Sequence, residues 1–234
     1  MSKNNKRVIA IIPAAGIGKR VGAFIPKQYI TIAGKSIFEY TVSAVLATES
    51  IDHCVVAVSS EDNRWRSIEL LKNPNVHVVI GGAERSDSVL AALEYFTATD
   101  DDWVLVHDVA RPCVTPEVID DLLSQLVAKT AGGILALPLT DTVKKVNASS
   151  EITETLDREW LWRAQTPQVF PFLRLQQALN HAKQKGLHIT DEASAIELLG
   201  DKPTIILGPV NNMKVTRPED VALAEFYLKQ LSAS

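Results

Sequence analysis

Basic residues gathered around a glycine turn near the start of the chain point to anion chemistry. Gly16-Ile17-Gly18-Lys19-Arg20 follows the apolar run Val8 to Ile12 and the small residues Pro13-Ala14-Ala15, and Pro26-Lys27-Gln28 lies a few residues further on. A buried strand that stops at proline and opens into small residues offers free backbone N–H groups to a ligand. Lys19, Arg20 and Lys27 add full positive charges within reach of that loop. Such a loop is suited to phosphate.

Further charged segments fall where strands should end. Gly82-Ala83-Glu84-Arg85-Ser86-Asp87-Ser88 joins a glycine turn to a helix start, and His107-Asp108-Val109-Ala110-Arg111-Pro112 places a carboxylate and then a guanidinium after an apolar run. Arg163-Ala164-Gln165-Thr166-Pro167-Gln168 and Lys214-Val215-Thr216-Arg217-Pro218-Glu219-Asp220 complete the set. Two familiar phosphate motifs are excluded. Val21 stands where a dinucleotide fingerprint needs its third glycine, and Tyr29 stands where a Walker loop ending in Gly34-Lys35-Ser36 needs its first. Ser36 and Glu39 instead have the spacing of a capping box at a helix start.

The elements that must position these residues alternate between strand and helix, the pattern of an α/β protein with one doubly wound, mostly parallel sheet. Strands are expected at Val8 to Ile12, His53 to Val58, Val76 to Ile80, Trp103 to His107, Gly133 to Leu137 and Thr204 to Leu207. Helices are expected from Ser36 to Ala47, Asp62 to Leu71, Ser86 to Phe96, Thr115 to Lys129, Pro171 to Gln184, Thr190 to Leu199 with Thr190 as cap, and from the Thr216-x-x-Glu219 box to Leu231. In such a sheet ligands gather at the carboxyl ends of the strands, which carry Gly16, Gly82, Asp108 and the residues after Leu137. From Pro138 to Gln165 the pattern changes. Thr142 to Val146 and Ile152 to Leu156 form a hairpin with polar faces, a projecting β-arm poorly suited to a core.

The 234 residues are 46% hydrophobic and can bury a full core in a single domain, residues 1–234, with the arm at about 138–165. A net charge of −4 leaves no excess of basic residues and argues against a nucleic-acid surface. Cys54 and Cys113 form no C-x-x-C pair and are expected as buried free thiols. No apolar stretch reaches the ~18 residues that span a bilayer, and polar Met1 to Arg7 precedes a strand too short for a secretion signal, so a cytoplasmic protein with no membrane partner is expected.

Taken together, the loop Pro-Ala-Ala-Gly-x-Gly-x-Arg with Pro-Lys-Gln downstream resembles that of nucleotidyltransferases. With the later motifs, from Ile12 to Phe226, the chain resembles the 2-C-methyl-D-erythritol 4-phosphate cytidylyltransferase family of the non-mevalonate isoprenoid pathway. The resemblance implies a Rossmann-like nucleotidyltransferase fold and a homodimer, with CTP and methylerythritol phosphate as substrates. It places Ala14, Ala15 and Gly16 around the nucleotide and Gly82 and Ser88 at the cytidine. Arg20, Lys27 and Lys214 become the catalytic cations. Asp108, Arg111, Thr166 and Thr190 lie near the methylerythritol phosphate, and Thr142 and Arg158 reach the site of a partner subunit from the arm. The chain departs from the family at Ala83, where aspartate is common, and at Val109, where alanine is.

The chemistry is coherent with those residues. A phosphate monoester attacking an α-phosphorus is repelled by the triphosphate, and its transition state adds charge that fixed cations and Mg²⁺ held mainly by the CTP phosphates offset. Asp108 has three readings: metal ligand, acceptor for a substrate hydroxyl, or structural cap. The second is preferred, because one carboxylate makes a poor Mg²⁺ cage. His107 reads as a buried, hydrogen-bonded strand residue and Arg85 as either a site residue or a surface ion pair, while Trp103, Trp160 and Trp162 read as core or interface aromatics. Competing readings are a nucleotidyltransferase for another sugar or polyol phosphate and a non-catalytic nucleotide-binding domain.

Overall fold

The computed structural model describes residues 6–16, 25–127 and 131–233. The first strand, β1 (Val8–Pro13), is almost wholly buried and lies in the interior of the sheet. After it come the short pair β2 (Thr31–Ile32) and β3 (Lys35–Ser36), helix α1 (Ile37–Leu46), β4 (His53–Val58), β5 (Val76–Ile80), α2 (Arg85–Glu94), β6 (Trp103–Val106) and α3 (Pro116–Leu126). The second half adds β7 (Gly133–Pro138), β8 (Val143–Val146), β9 (Ile152–Leu156), β10 (Trp162–Pro171), α4 (Phe172–Lys185), α5 (Glu192–Glu197), β11 (Thr204–Leu207) and α6 (Pro218–Ala233).

Seven strands form the central sheet in the order β11-β7-β10-β6-β1-β4-β5. All neighbours are parallel except β10, which runs antiparallel between β6 and β7. The chain leaves β1 toward β4 and β5, then returns to put β6 on β1's other side. The carboxyl ends of β1 and β6 therefore flank a switch point, where an open α/β sheet leaves a crevice for ligand. Alternate residues of β1 feed two cores: Ala10 and Ile12 pack with Phe38 and Leu122 on one face, Ile9 and Ile11 with Leu93 and Phe172 on the other.

Caps set the helix starts. Ser36 accepts the Glu39 N–H while the Glu39 carboxylate accepts the Ser36 N–H, the expected box, and Thr115 caps α3 with Pro116 in its first turn. Elsewhere the structure corrects the sequence reading. Two 3₁₀ turns, Arg64–Ser67 and Glu69–Lys72, replace the helix expected from Asp62 to Leu71. Local polar bonds hold the chain there, with the Arg64 N–H on Asp62 and the Ser67 hydroxyl on the Arg64 carbonyl, and they compete with helix formation. Asp191, not Thr190, caps α5. At α6 it is Asp220 rather than Glu219 that accepts from the Thr216 and Arg217 N–H groups. The end expected for α3 at Lys129 falls outside the described residues.

Among the described residues the hairpin of β8 and β9 pairs only with itself, as a sheet apart from the main one, and its residues are mostly exposed. Beside it Trp160 is 78% and Trp162 39% exposed, whereas Trp103 is in the core. Cys54 and Cys113 are buried and free, and burial pushes their thiols up to about 12 and about 11. Among the described residues no helix is long and apolar enough to cross a membrane.

Candidate active site

Two adjoining pockets open at the carboxyl ends of the strands. Into the first run Ala15 and Gly16 after β1, and Gly82 and Ser88 after β5. The turn at Gly81-Gly82 is too tight for side chains: a Cβ on Gly81 would lie 2.6 Å from Ser88 Oγ, and one on Gly82 only 2.3 Å from the Asp87 Cβ. Ser88 fixes this turn by accepting the Gly82 N–H at 3.2 Å while its own hydroxyl donates to the Glu84 carbonyl. Ala14 is buried one residue behind the wall, its carbonyl accepting from Gln28 Nε2 at 3.1 Å. That bond ties Lys27, which faces the same pocket, to the glycine loop, and Lys27 Nζ also donates to the Val215 carbonyl at 3.3 Å. Arg20 lies outside the described residues.

The second pocket brings together Arg111, Thr166 and Thr190 with Gln165, Gln168 and Asp191. Arg111 Nη1 donates to the Asn212 carbonyl at 2.7 Å, and Asn212 Nδ2 donates to the Thr166 carbonyl at 2.8 Å, so the segment before Lys214 braces both residues. Gln168 spans to α5, donating to Asp191 and accepting the Ala193 N–H. Arg111 Nε and Gln165 Oε1 are buried with no hydrogen-bond partner among the described residues.

Arg85, Asp108 and Lys214 form the wall common to both pockets. One Asp108 oxygen accepts from Arg85 Nε at 2.9 Å and the other from Lys214 Nζ at 2.7 Å, with Arg111 Nε 3.8 Å away. Arg85 turns its remaining nitrogens to Glu192, at 2.5 and 3.0 Å. Its partners' side chains are only 9% and 1% exposed, so this is no surface ion pair. Burial alone would raise the Asp108 carboxyl, but the Arg85 and Lys214 charges outweigh it and hold the group well below the usual carboxylate range. For Arg85 burial disfavours the charge and Glu192 and Asp108 more than restore it. Asp108 is thus an anion gripped by cations. Each of its oxygens keeps a further lone pair, which leaves room for a substrate hydroxyl, whereas a metal would have to compete with those cations.

Every expected site residue in the described part of the body falls in or directly behind these pockets. Thr142 and Arg158 do not: they lie at the base of the arm, and Arg158 donates to the Thr140 carbonyl instead. The sequence leaves Arg85 open and does not by itself assign Gln165, Gln168, Asp191, Glu192 and Asn212 to the site. The available signal was the polar run Gln165 to Gln168, whose side chains are buried in a strand.

An α/β sheet whose switch point holds a glycine loop, with two cation-walled pockets side by side, defines a transferase that joins two anionic substrates. The chain belongs to the 2-C-methyl-D-erythritol 4-phosphate cytidylyltransferase (IspD) family, whose pattern it matches over residues 8–230. It is 50% identical to the enzyme of that name from Vibrio parahaemolyticus over 98% of this chain and 99% of the relative, and 47% identical to that from Haemophilus ducreyi over 96% and 97%. The solved structure of the Francisella tularensis enzyme superposes with a TM-score of 0.83 at 35% identity, covering 95% of this chain and all of the other. A crystal structure of a 4-diphosphocytidyl-2C-methyl-D-erythritol synthase gives 0.82 at 37% identity over 97% of this chain.

Proposed function

We propose that this chain transfers the cytidylyl group of CTP to 2-C-methyl-D-erythritol 4-phosphate, releasing pyrophosphate, in the non-mevalonate route to isoprenoids. The observation that carries this reading is the shared wall: Lys214 faces both pockets, so a cation stands where a nucleotide in the first and a phosphate ester in the second would meet. Gly16 and Gly82 let the backbone approach the nucleotide, and Arg111, Thr166 and Thr190 receive the acceptor.

An ionised oxygen of the acceptor phosphate attacks the α-phosphorus, one P–O bond forms, the bond to the β-phosphate bridge breaks, and pyrophosphate leaves with the electron pair. No general base is needed. Lys27 and Lys214, with Arg20 of the loop, offset the charge that builds on the non-bridging oxygens and the leaving group. Asp108 keeps Lys214 and Arg85 in place. Mg²⁺ supplies further charge neutralisation when bound, and the triphosphate oxygens are its natural ligands. The carboxylate of the shared wall is already taken by cations, and no cluster of three or more His, Cys, Asp or Glu side chains suited to a metal occurs among the described residues.

The chain acts in this reading as a single nucleotidyltransferase unit that dimerises through its arm, residues 138–165, in the cytoplasm where its charged substrates are dissolved. An arm whose strands, among the described residues, pair only with each other and that has two exposed tryptophans beside it favours burial against a second copy. Thr142 and Arg158 then serve the neighbour's second pocket. Pyrophosphate release, measured for each nucleoside triphosphate with and without methylerythritol 4-phosphate, tests the function. Release is expected with CTP and the acceptor together, and release without dependence on the acceptor would refute it.

A further inference from the structure

His107 is completely buried at the end of β6, beneath the second pocket, and no step above assigns it a task. Its Nε2 lies 3.2 Å from the Arg111 carbonyl and its Nδ1 3.1 Å from Thr166 Oγ1. A carbonyl oxygen can only accept, so the single proton of the neutral ring sits on Nε2 and leaves Nδ1 an acceptor. The Thr166 hydroxyl must then donate to Nδ1. The same oxygen accepts the Asp108 backbone N–H at 3.0 Å. A hydroxyl has one proton and two lone pairs, so Thr166 keeps one lone pair and no proton for whatever enters the pocket it lines. Burial secures the neutral ring, pushing its pKa down to about 4 against the opposing pull of the Arg111 carbonyl.

We infer that His107 is a positioning residue that commits the Thr166 hydroxyl as an acceptor, so that the second pocket reads a hydroxyl of the polyol at Thr166 and leaves the phosphate to Arg111 and the neighbouring cations. Phosphate oxygens at neutral pH only accept, so one placed on this threonine would set two acceptors against each other. This assignment rests on the reading of the second pocket as the acceptor site.

The test pairs a direct measurement with kinetics. ¹⁵N-edited spectra of the wild-type protein, with the His107 signals identified by their loss in His107→Asn, are expected to show the proton on Nε2 and none on Nδ1; a proton on Nδ1 overturns the proposal whatever the enzyme does. Kinetically, methylerythritol phosphate is compared with its three monodeoxy analogues at saturating CTP. Wild type and Thr166→Ser are expected to lose about 10-fold in kcat/KM with one analogue, through KM for the acceptor. Thr166→Val should lose about as much with the parent substrate and nothing further with that analogue. His107→Leu, which removes the acceptor for the threonine proton, should raise the acceptor KM while leaving KM for CTP unchanged, and His107→Asn, whose carbonyl oxygen takes the place of Nδ1, should restore it. Equal discrimination by wild type and Thr166→Val against every analogue overturns the hydroxyl assignment. If methylerythritol phosphate itself supports no turnover, the function proposed above fails instead, and the tautomer measurement still decides the His107–Thr166 arrangement.

Discussion

Lys214 Nζ lies 2.7 Å from a carboxylate oxygen of Asp108, whose other oxygen holds Arg85 Nε at 2.9 Å, and this one anion therefore orders two cations on the wall between two pockets. A lysine held in this way presents its charge without having to be reorganised when the substrates arrive, which is the condition for a fixed cation to stabilise a transition state. Asp108→Asn should reduce kcat/KM for both substrates by about 10² or more, as should Lys214→Gln. Because the two act as a unit, the double variant should lose little more than the worse single one. Losses that multiply would show that Asp108 works independently of Lys214.

The buried imidazole of His107 gives folding a pH dependence of known sign. Its pKa in the folded chain is about 4 against 6.5 for the free group, so as pH falls the unfolded chain takes up the proton first. Stability from this group is full above 6.5, declines through the interval down to about 4, and is then constant. At about pH 5 the loss amounts to about 2 kcal/mol. Urea unfolding of wild type and His107→Asn between about pH 7 and about pH 5 checks this, with the variant expected to show the shallower decline. Parallel curves for the two proteins would mean that the ring takes up its proton in the folded state.

Ala83 and Val109 both line the first pocket, and neither side chain can accept a hydrogen bond from the amino group of cytosine. If backbone groups around Ala15 and Gly82 read the base, CTP should still exceed UTP in kcat/KM by about 10-fold or more, since a buried unpaired polar group costs ~1–3 kcal/mol. Comparable values for the two nucleotides would show that base choice in this chain is relaxed.

Much of this arrangement was legible in the sequence because it depends on local signals. The strand, proline and glycine sequence around Gly16, the Ser36 to Glu39 box and the apolar runs of β4, β5 and β6 each announce themselves within a few residues. What was not legible depends on partners distant in the chain. β10 carries Gln165, Thr166 and Gln168 at buried positions, a pattern that looks irregular until Asn212, Asp108 and Asp191 are seen to supply partners for Gln165 Nε2, Thr166 Oγ1 and Gln168 Nε2. Likewise the arginine at position 85 could pass for a surface residue, because the carboxylates that enclose it lie 23 and 107 residues away.

Arg158 sits on the exposed arm and contacts neither pocket of its own chain, so a role in catalysis requires it to act on a neighbour. Arg158→Ala and Lys27→Ala homodimers should each be nearly inactive. When the two are mixed and exchange, about half the dimers are hybrids, each with one intact site of two, and roughly a quarter of wild-type activity should return. Exchange confirmed by a tagged pull-down, with activity still at the level of the parents, would place Arg158 in its own subunit's chemistry.

The mass of the product formed by purified protein from CTP, methylerythritol 4-phosphate and Mg²⁺ tests the central claim most directly. A product with the mass of 4-diphosphocytidyl-2-C-methyl-D-erythritol, formed in step with one pyrophosphate, is the expected result. A product bearing another nucleotide in preference when all are offered, or CTP and acceptor recovered unchanged under conditions where the protein is folded, would contradict it.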